Sequence, residues 1–167
     1  LDDVCIFSRT FESHLQHIEE VFKRLKEAGL KLRPNKCKFA LRQIKYLGHI
    51  ISSDGIMPDP EKVSAVQEYP VPQSLKDLRA FLGLSGYYRK FVKDYAKISI
   101  PLYALTKKGV KYVWTKNCDS AFQALKLALT SPPLLAYPDY DKHFKVYTDA
   151  SSFAVGGVLA QDKNGTE

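Results

Sequence analysis

Long apolar runs are absent from this sequence of 167 residues. A membrane-spanning helix needs roughly 20 consecutive apolar residues, and the longest uninterrupted run here is far shorter. The chain also does not open with the basic, then apolar, then small-residue pattern of a secretory signal. We therefore expect no membrane partner and an intracellular protein.

Cysteine is scarce as well. Cys5, Cys37 and Cys118 are odd in number and far apart, and neither a C-x-x-C pair nor a histidine at zinc-finger spacing accompanies them. The pattern argues against a disulfide framework and against a structural zinc site. It favours a reducing compartment, the cytoplasm or the nucleus.

Acidic residues are few in one segment, and this segment carries the positive charge of the chain. The net charge is +7, and between Ser74 and Lys111 nine basic residues stand against two acidic ones, which accounts for the whole excess. Tyrosines are interleaved with these charges: Tyr87, Tyr88, Tyr95, Tyr103 and Tyr112. Such a segment is typical of a surface that follows a phosphate backbone, although a solvated helix face would have the same composition.

Hydrophobic residues make up 45% of the chain, which is enough for one ordinary domain or two small ones. The run Val4–Phe7 predicts a strand. An amphipathic helix follows, with capping-box spacing at Ser13 and Gln16 and a natural terminator at Gly29.

Two further strands are predicted after this helix. Residues 36–41 form a short apolar run, and residues 43–58 read as one strand that folds back through Ser53, Asp54 and Gly55. The first part of the chain therefore predicts a strand, a helix, a strand and a hairpin.

Helical signals dominate from residue 58 to residue 108. Asp59 is a candidate N-cap before Pro60 at the first helical position, and Ser74 with Asp77 has capping-box spacing. A further short helix is interrupted or begun at Pro101. These segments predict a small helical bundle.

Beyond the bundle, Asn117 is a candidate cap for a helix from about Asp119 to Leu129, whose apolar stripe we expect to be buried. A proline-broken connector follows. From residue 143 the alternation of apolar and polar residues predicts two strands of a new sheet, with Asp149 near the end of the first.

The pair Asp2 and Asp3 stands directly before the first apolar run. Adjacent carboxylates at a strand tip are one way to hold divalent ions, because Mg²⁺ prefers hard oxygen ligands. Alone, the pair is explained as well by a turn or a helix cap. Neighbouring residues of a strand point to opposite faces, so Asp2 and Asp3 can both bind one metal ion only if they lie in a tight turn. Otherwise Asp2 is the metal ligand and Asp3 supports it.

The order of these blocks resembles a known family. "LDDVCIFS" resembles the end of the catalytic hairpin of a reverse transcriptase palm, and "YLGHIISSDGI" resembles the primer-grip hairpin. "LRAFLGLSGYYRKFV" resembles the thumb, "WTKNCDSAFQALKLALTSPPLLAYPD" the connector, and "VYTDASSFAVGGVLAQ" the first two strands of an attached ribonuclease H domain. The amino-acid sequence of these segments is similar to that of gypsy-type long-terminal-repeat retrotransposon Pol polyproteins.

The resemblance implies an α+β fold in four parts. These are a partial reverse transcriptase palm with the primer-grip hairpin over residues 1–57, a helical thumb over 58–112, a connector with a helix over 113–142, and the start of a ribonuclease H-like domain over 143–167. It implies RNA-directed DNA synthesis together with hydrolysis of the RNA strand.

The resemblance also assigns roles to single residues. Asp2 and Asp3 would bind metal in the polymerase centre and Asp149 in the ribonuclease H centre, with Mg²⁺ as the ion and Mn²⁺ as its alternative. The primer grip would consist of Tyr46, Leu47, Gly48 and His49, where Gly48 would allow close approach to sugar and phosphate. The thumb would contact phosphates through Arg89, Lys90 and Lys93. The other interpretation is an ordinary hairpin with Tyr46, Leu47 and Ile50 in its core, and for Leu47 and Ile50 we favour this packing.

Each catalytic centre of the family needs further acids from other elements, and these 167 residues contain no match to them. We therefore expect this chain alone to be inactive. Its expected partners are an RNA template with its DNA primer and the remainder of the Pol polyprotein, namely the fingers, the upstream palm and the rest of ribonuclease H; a virus-like particle is an implied location. The alternative function is that of a non-catalytic nucleic-acid-binding product of a decayed or domesticated retroelement.

Overall fold

The computed structural model describes residues 3–133, 135–150 and 155–162. Within these ranges the chain forms the helices α1 (Phe11–Glu27), α2 (Pro60–Gln67), α3 (Leu75–Tyr87), α4 (Tyr95–Ala104) and α5 (Lys116–Thr130). The strands there are β1 (Gln43–Tyr46), β2 (His49–Ser52), β3 (Ile56–Pro58), β4 (Lys145–Ala150) and β5 (Val155–Ala160). No helix in these ranges is both long enough and apolar enough to cross a membrane.

Helix α1 is confirmed, but it begins one turn before the predicted capping box. Its N-cap is Thr10, whose side chain accepts a hydrogen bond from the Ser13 backbone N–H while Ser13 Oγ accepts one from the Thr10 N–H. Beyond its C-terminal end Gly29 takes a φ of 69°, a conformation that glycine adopts at little cost. None of the α1 residues is buried, so its apolar face is open.

The two strands predicted at residues 4–7 and 36–41 are wrong. Neither segment pairs with another strand in the described ranges, and a 3₁₀ turn at Pro34–Lys36 precedes the second. A short apolar run does not by itself determine a strand, because a strand forms only where a neighbouring strand pairs with its backbone N–H and C=O groups.

Residues 43–58 form three antiparallel strands in the order β1, β2, β3, where the sequence predicted one strand and one turn. The additional turn is Leu47–Gly48, since Tyr46 pairs with His49. The predicted turn through Ser53–Gly55 is confirmed, because Ile51 pairs with Ile56. Leu135 borders β3 through two backbone hydrogen bonds with Ile56, of 2.9 and 3.0 Å.

The helical bundle is confirmed, and it includes α5. Asp59 caps α2, Ser74 caps α3 and Thr115 caps α5, the last in place of the predicted Asn117. Helix α4 passes through Pro101 without interruption. One hydrophobic core joins these helices; its fully buried side chains include Val66, Leu78, Phe81, Leu102, Phe122, Leu125 and Leu129. Helix α5, which the sequence assigned to a connector, therefore packs in the core of the predicted thumb.

The last two strands are confirmed as an antiparallel hairpin, in which Asp149 pairs with Gly156. Nearly all of its residues are exposed. The Gln161 side chain accepts a hydrogen bond from the Asp139 backbone N–H at 2.7 Å and donates one to the Asp139 carbonyl at 2.7 Å. The hairpin is thereby attached to the segment that follows α5.

Candidate nucleic-acid interface

The tip of the β1–β2 hairpin is a two-residue turn with unusual backbone angles. Leu47 has a φ of 46° and Gly48 a φ of 70°, which is the pattern of a type I′ turn. Glycine enters this left-handed region freely, whereas a leucine there is strained. The turn persists because its two carbonyl groups are held by side chains and backbone from other parts of the fold.

Four hydrogen bonds reach these two carbonyl groups. The Leu47 oxygen accepts from the Tyr87 hydroxyl at 2.6 Å and from His49 Nδ1 at 2.8 Å. The Gly48 oxygen accepts from the Tyr88 hydroxyl at 2.8 Å and from the Asp59 N–H at 3.0 Å. Since a carbonyl oxygen has two lone pairs, both acceptors are fully used.

Tyr87 and Tyr88 stand where α3 ends and lie 40 residues from the turn in sequence. Tyr88 is only 1% exposed, while the Tyr87 side chain is 53% exposed. Burial, with smaller effects of the nearby Tyr87 and Asp59, raises the pKa of Tyr88 to about 12. Tyr88 therefore stays protonated and keeps its hydroxyl as a donor.

His49 packs among three aromatic rings beside this turn. Its ring centroid lies 5.4 Å from that of Tyr87, 5.6 Å from that of Tyr88 and 5.8 Å from that of Phe91. Because a carbonyl only accepts, Nδ1 must carry the proton that it donates to Leu47. Nε2 is buried and has no hydrogen-bond partner among the described residues.

An ion pair joins the hairpin to the start of α2. Lys45 Nζ lies 3.4 Å from Asp59 Oδ1 and 2.5 Å from Glu61 Oε1. Asp59 is buried, and its carboxylate also accepts the N–H of Glu61 as the cap of α2. These two carboxylates raise the pKa of Lys45, with the Glu61 contact as the largest cause.

The three basic residues predicted to contact phosphates are exposed and lie directly beyond Tyr88. Arg89 and Lys90 belong to the 3₁₀ turn Arg89–Phe91, and Lys93 follows it. Lys90 Nζ lies 5.1 Å from the ring centroid of Phe91, the same ring that contacts His49. Phe91 thus lies between one of these cations, Lys90, and His49 of the β1–β2 hairpin.

The structure revises two expectations for the tip. Leu47 is 57% exposed, so the expectation that it packs in a core is wrong: the tight turn points its side chain outward. The space beside Gly48 is taken by tyrosines, because a Cβ there would lie 3.0 Å from the Tyr88 hydroxyl and 3.4 Å from the Tyr87 ring. Tyr46 is half-buried, and its hydroxyl lies 3.5 Å from the Asp3 carbonyl, so the segment that carries Asp3 borders β1.

The acids predicted to bind metal are not assembled into a site by the described residues. Asp2 lies outside those residues, and the exposed Asp3 and Asp149 belong to separate parts of the chain. No group of three or more histidine, cysteine, aspartate or glutamate side chains suited to a metal ion occurs within the described ranges. Asp3 and Asp149 therefore belong to no such group within the described residues.

Two family models match the chain. A model described as "Reverse transcriptase (RNA-dependent DNA polymerase)" covers residues 1–51, and one described as "RNase H-like domain found in reverse transcriptase" covers residues 114–167. The Pol polyprotein of transposon 297 from Drosophila melanogaster is 45% identical over 97% of the chain, and that of transposon gypsy from the same organism is 40% identical over 97%. The transposon Tf2-3 polyprotein from Schizosaccharomyces pombe is 38% identical over 96%.

The chain belongs to the reverse transcriptase and ribonuclease H region of gypsy-type retrotransposon Pol polyproteins. It spans 15, 17 and 12% of the length of the three relatives, in the same order. Domains of these two families work with divalent metal ions. The predicted family and the predicted α+β fold of this Pol region are thereby confirmed.

Solved structures of foamy viral protease-reverse transcriptase have the same fold as this Pol region. One, in complex with double-stranded DNA, is 30% identical with a TM-score of 0.78 and covers 87% of this chain and 26% of that chain. Another, in complex with an RNA/DNA hybrid, is 26% identical with a TM-score of 0.77 and covers 93% of this chain and 24% of that chain.

Sequence reasoning missed the interactions that hold the Leu47–Gly48 turn in place. The sequence marks Tyr87 and Tyr88 as aromatic residues of a basic, thumb-like segment and Asp59 as a helix cap, without connecting them to this turn. The available signal was the pair of adjacent tyrosines at the end of a predicted helix, since polar aromatic groups that become buried need a hydrogen-bond partner.

Proposed function

We propose that this chain holds the sugar-phosphate backbone of a nucleic-acid duplex between its primer-grip hairpin and its thumb, as part of an enzyme that synthesises DNA on an RNA template. One observation carries this proposal. The Tyr87 and Tyr88 hydroxyls bond the carbonyl groups of Leu47 and Gly48, and the exposed cations Arg89, Lys90 and Lys93 begin directly after Tyr88 in the chain. Together the tip and these cations form the proposed surface.

The chemistry of this surface fits a backbone better than base edges. Three cations neutralise phosphates and release counterions, and the exposed Leu47 side chain and Tyr87 ring offer apolar area to sugars. The proposed partner is an RNA template paired with its DNA primer. The foamy viral relatives, whose structures contain double-stranded DNA or an RNA/DNA hybrid, support this choice.

We further propose that Asp2 and Asp3 bring carboxylates to a polymerase metal centre and Asp149 to a ribonuclease H centre, with Mg²⁺ or alternatively Mn²⁺ as the ion. When bound, such ions would stabilise the charge of the transferred phosphoryl group. The remaining ligands would come from the rest of the Pol polyprotein. The division into palm, thumb, connector and ribonuclease H-like parts, and a cytoplasmic, nuclear or particle location, belong to the same proposal.

Fluorescence anisotropy with a labelled RNA/DNA hybrid tests the binding function. We expect weak, sequence-independent binding by the full chain and a steep fall in affinity with salt. Replacement of Arg89, Lys90 and Lys93 by alanine should lower the log–log salt slope by about one for each phosphate that is no longer neutralised.

A charge-matched control separates the loss of direct phosphate contacts from the effect of a lower net charge. Lys23, Lys31 and Lys36 are exposed and lie outside the basic segment, so their replacement by alanine lowers the charge equally. We expect this control to keep most of the salt slope. Equal reductions of the slope in the two triple variants, or no binding at low ionic strength, would contradict the proposed interface.

A further inference from the structure

The grip tip and the thumb of this chain are tied by hydroxyl groups as well as by the covalent chain. We propose that Tyr87 and Tyr88 are positioning residues of the primer grip: their hydroxyls fix the Leu47–Gly48 turn to the end of α3, so that the thumb's hold on a duplex sets the place of the tip. This inference rests on the proposed function and adds to it the means by which the tip is placed.

The backbone of the turn shows why such a tie is needed. Leu47 occupies the left-handed region at a φ of 46°, where a residue with a Cβ is strained. Strained residues persist where their surroundings hold them firmly, and here the Leu47 carbonyl is held from both sides by Tyr87 and His49. Without the tyrosine hydroxyls, the two turn carbonyls would keep only half of their hydrogen bonds.

The same hydrogen bonds decide what the tip offers to a ligand. Both turn carbonyls are saturated, so the exposed chemistry of the tip is the Leu47 side chain, at 57% exposure, and the Tyr87 ring, at 53%. These apolar surfaces suit a sugar face and have no donor pattern for reading a base edge. The tip would therefore contact the sugar-phosphate backbone of a duplex without regard to its base sequence.

The position of the tyrosines in the chain connects this support to the phosphate-binding residues. Arg89 and Lys90 follow Tyr88 directly, and the ring of Phe91 contacts both His49 and the Lys90 ammonium. A phosphate held by Arg89 or Lys90 is thus one or two peptide units from the residue whose hydroxyl holds the Gly48 carbonyl. Docking of the duplex on the thumb would be transmitted to the tip over this short path.

Tyrosine-to-phenylalanine variants of the full chain test the inference, because they remove only the hydroxyls. The variants are Tyr87→Phe, Tyr88→Phe and the double variant, and Tyr140→Phe is the matched control. Tyr140 is 83% exposed and its hydroxyl has no hydrogen-bond partner in the described part of the chain. Hydrogen exchange and hybrid-binding affinity as a function of salt are measured for each variant.

For the double variant we expect faster exchange at the Asp59 amide, which donates to the Gly48 carbonyl, with Leu78 and Phe81 in α3 unchanged. We expect hybrid affinity to fall by roughly tenfold, because a tip that is no longer held in place loses part of its apolar contact with the duplex, while the salt slope stays that of the parent chain. An unchanged slope with weaker binding marks positioning, because the cations still reach the phosphates.

Three results for the variants would overturn the inference. Behaviour like Tyr140→Phe in both measurements would show that the hydroxyls position nothing. A lower salt slope would make the tyrosines direct phosphate ligands, and uniformly faster exchange throughout α3 would give them a general structural role.

If the double variant does not fold, the exposed Tyr87→Phe alone decides between the same outcomes. If the parent chain binds no hybrid, the proposed function fails and the positioning role fails with it. Hydrogen exchange at the Asp59 amide then still shows whether the tyrosine hydroxyls hold the turn.

Discussion

At Gly48 two separate constraints on the backbone coincide. Its φ of 70° disfavours any residue with a Cβ, and a Cβ at this position would lie 3.0 Å from the hydroxyl of the buried Tyr88. We expect Gly48→Ala to lower the free energy of unfolding by about 1 to 2 kcal/mol and to displace the Tyr88 hydroxyl. Urea titration followed by circular dichroism measures the first effect.

Gly83 supplies the matched control for this substitution. It lies inside α3, and an added Cβ would meet nothing within 4 Å. Gly83→Ala should leave stability unchanged or raise it by about 0.5 to 1 kcal/mol, because alanine restricts the unfolded chain and favours the helix. Equal effects of the two substitutions would show that the turn places no special demand on Gly48.

At the scale of elements, α5 shares one hydrophobic core with the other helices of the bundle. Phe122 is fully buried, and its ring centroid lies 4.6 Å from that of Phe81 in α3 and 5.8 Å from that of Trp114. We expect Phe122→Ala to cost about 3 to 5 kcal/mol, because it opens a cavity in the shared core. Hydrogen exchange should show the destabilisation in α2, α3 and α4 as well as in α5.

Leu127→Ala on the same helix is the control. Its side chain is 74% exposed, so the change should stay within about 0.5 kcal/mol. If Phe122→Ala weakens only α5 and leaves the α3 amides as slow as before, α5 is a separate unit and the predicted boundary near residue 113 describes the folding units better than the shared core does.

The elements that could be predicted are those whose signals are local. Capping residues and apolar periodicity located α2 and α3, and the Ser53–Gly55 turn located one hairpin. The Leu47–Gly48 turn could not be predicted in this way, because leucine is not a turn-forming residue and its conformation is held by side chains 40 positions away. The apolar runs at 4–7 and 36–41 were misread for a related reason, since strand identity depends on a partner.

The candidate site was predicted to a similar extent. The positive charge of Arg89, Lys90 and Lys93 and the glycine of the tip are visible in the sequence, and the family resemblance assigned them to thumb and grip. Their attachment to one another was not predictable, because it depends on the register at which α3 ends beside the hairpin. That register is set by tertiary packing of the buried Tyr88 and Phe91.

At the scale of the whole molecule, charge and packing divide the chain into surfaces with different roles. The proposed interface combines the basic segment with the Leu47–Gly48 tip, whereas α1 and the terminal hairpin β4–β5 expose apolar side chains. If the account is right, a nucleic-acid duplex contacts the first surface and leaves the other two unaffected. A test of this expectation must show which residues contact the duplex, in addition to how tightly the chain binds it.

Hydrogen exchange of the full chain with and without a saturating RNA/DNA hybrid tests this central claim most directly. We predict slower exchange on hybrid binding at residues 47–49 and 89–93, with α1, α5 and β4–β5 unchanged. Protection confined to α1 or to the terminal hairpin, with the tip and the end of α3 unaffected, would contradict the account.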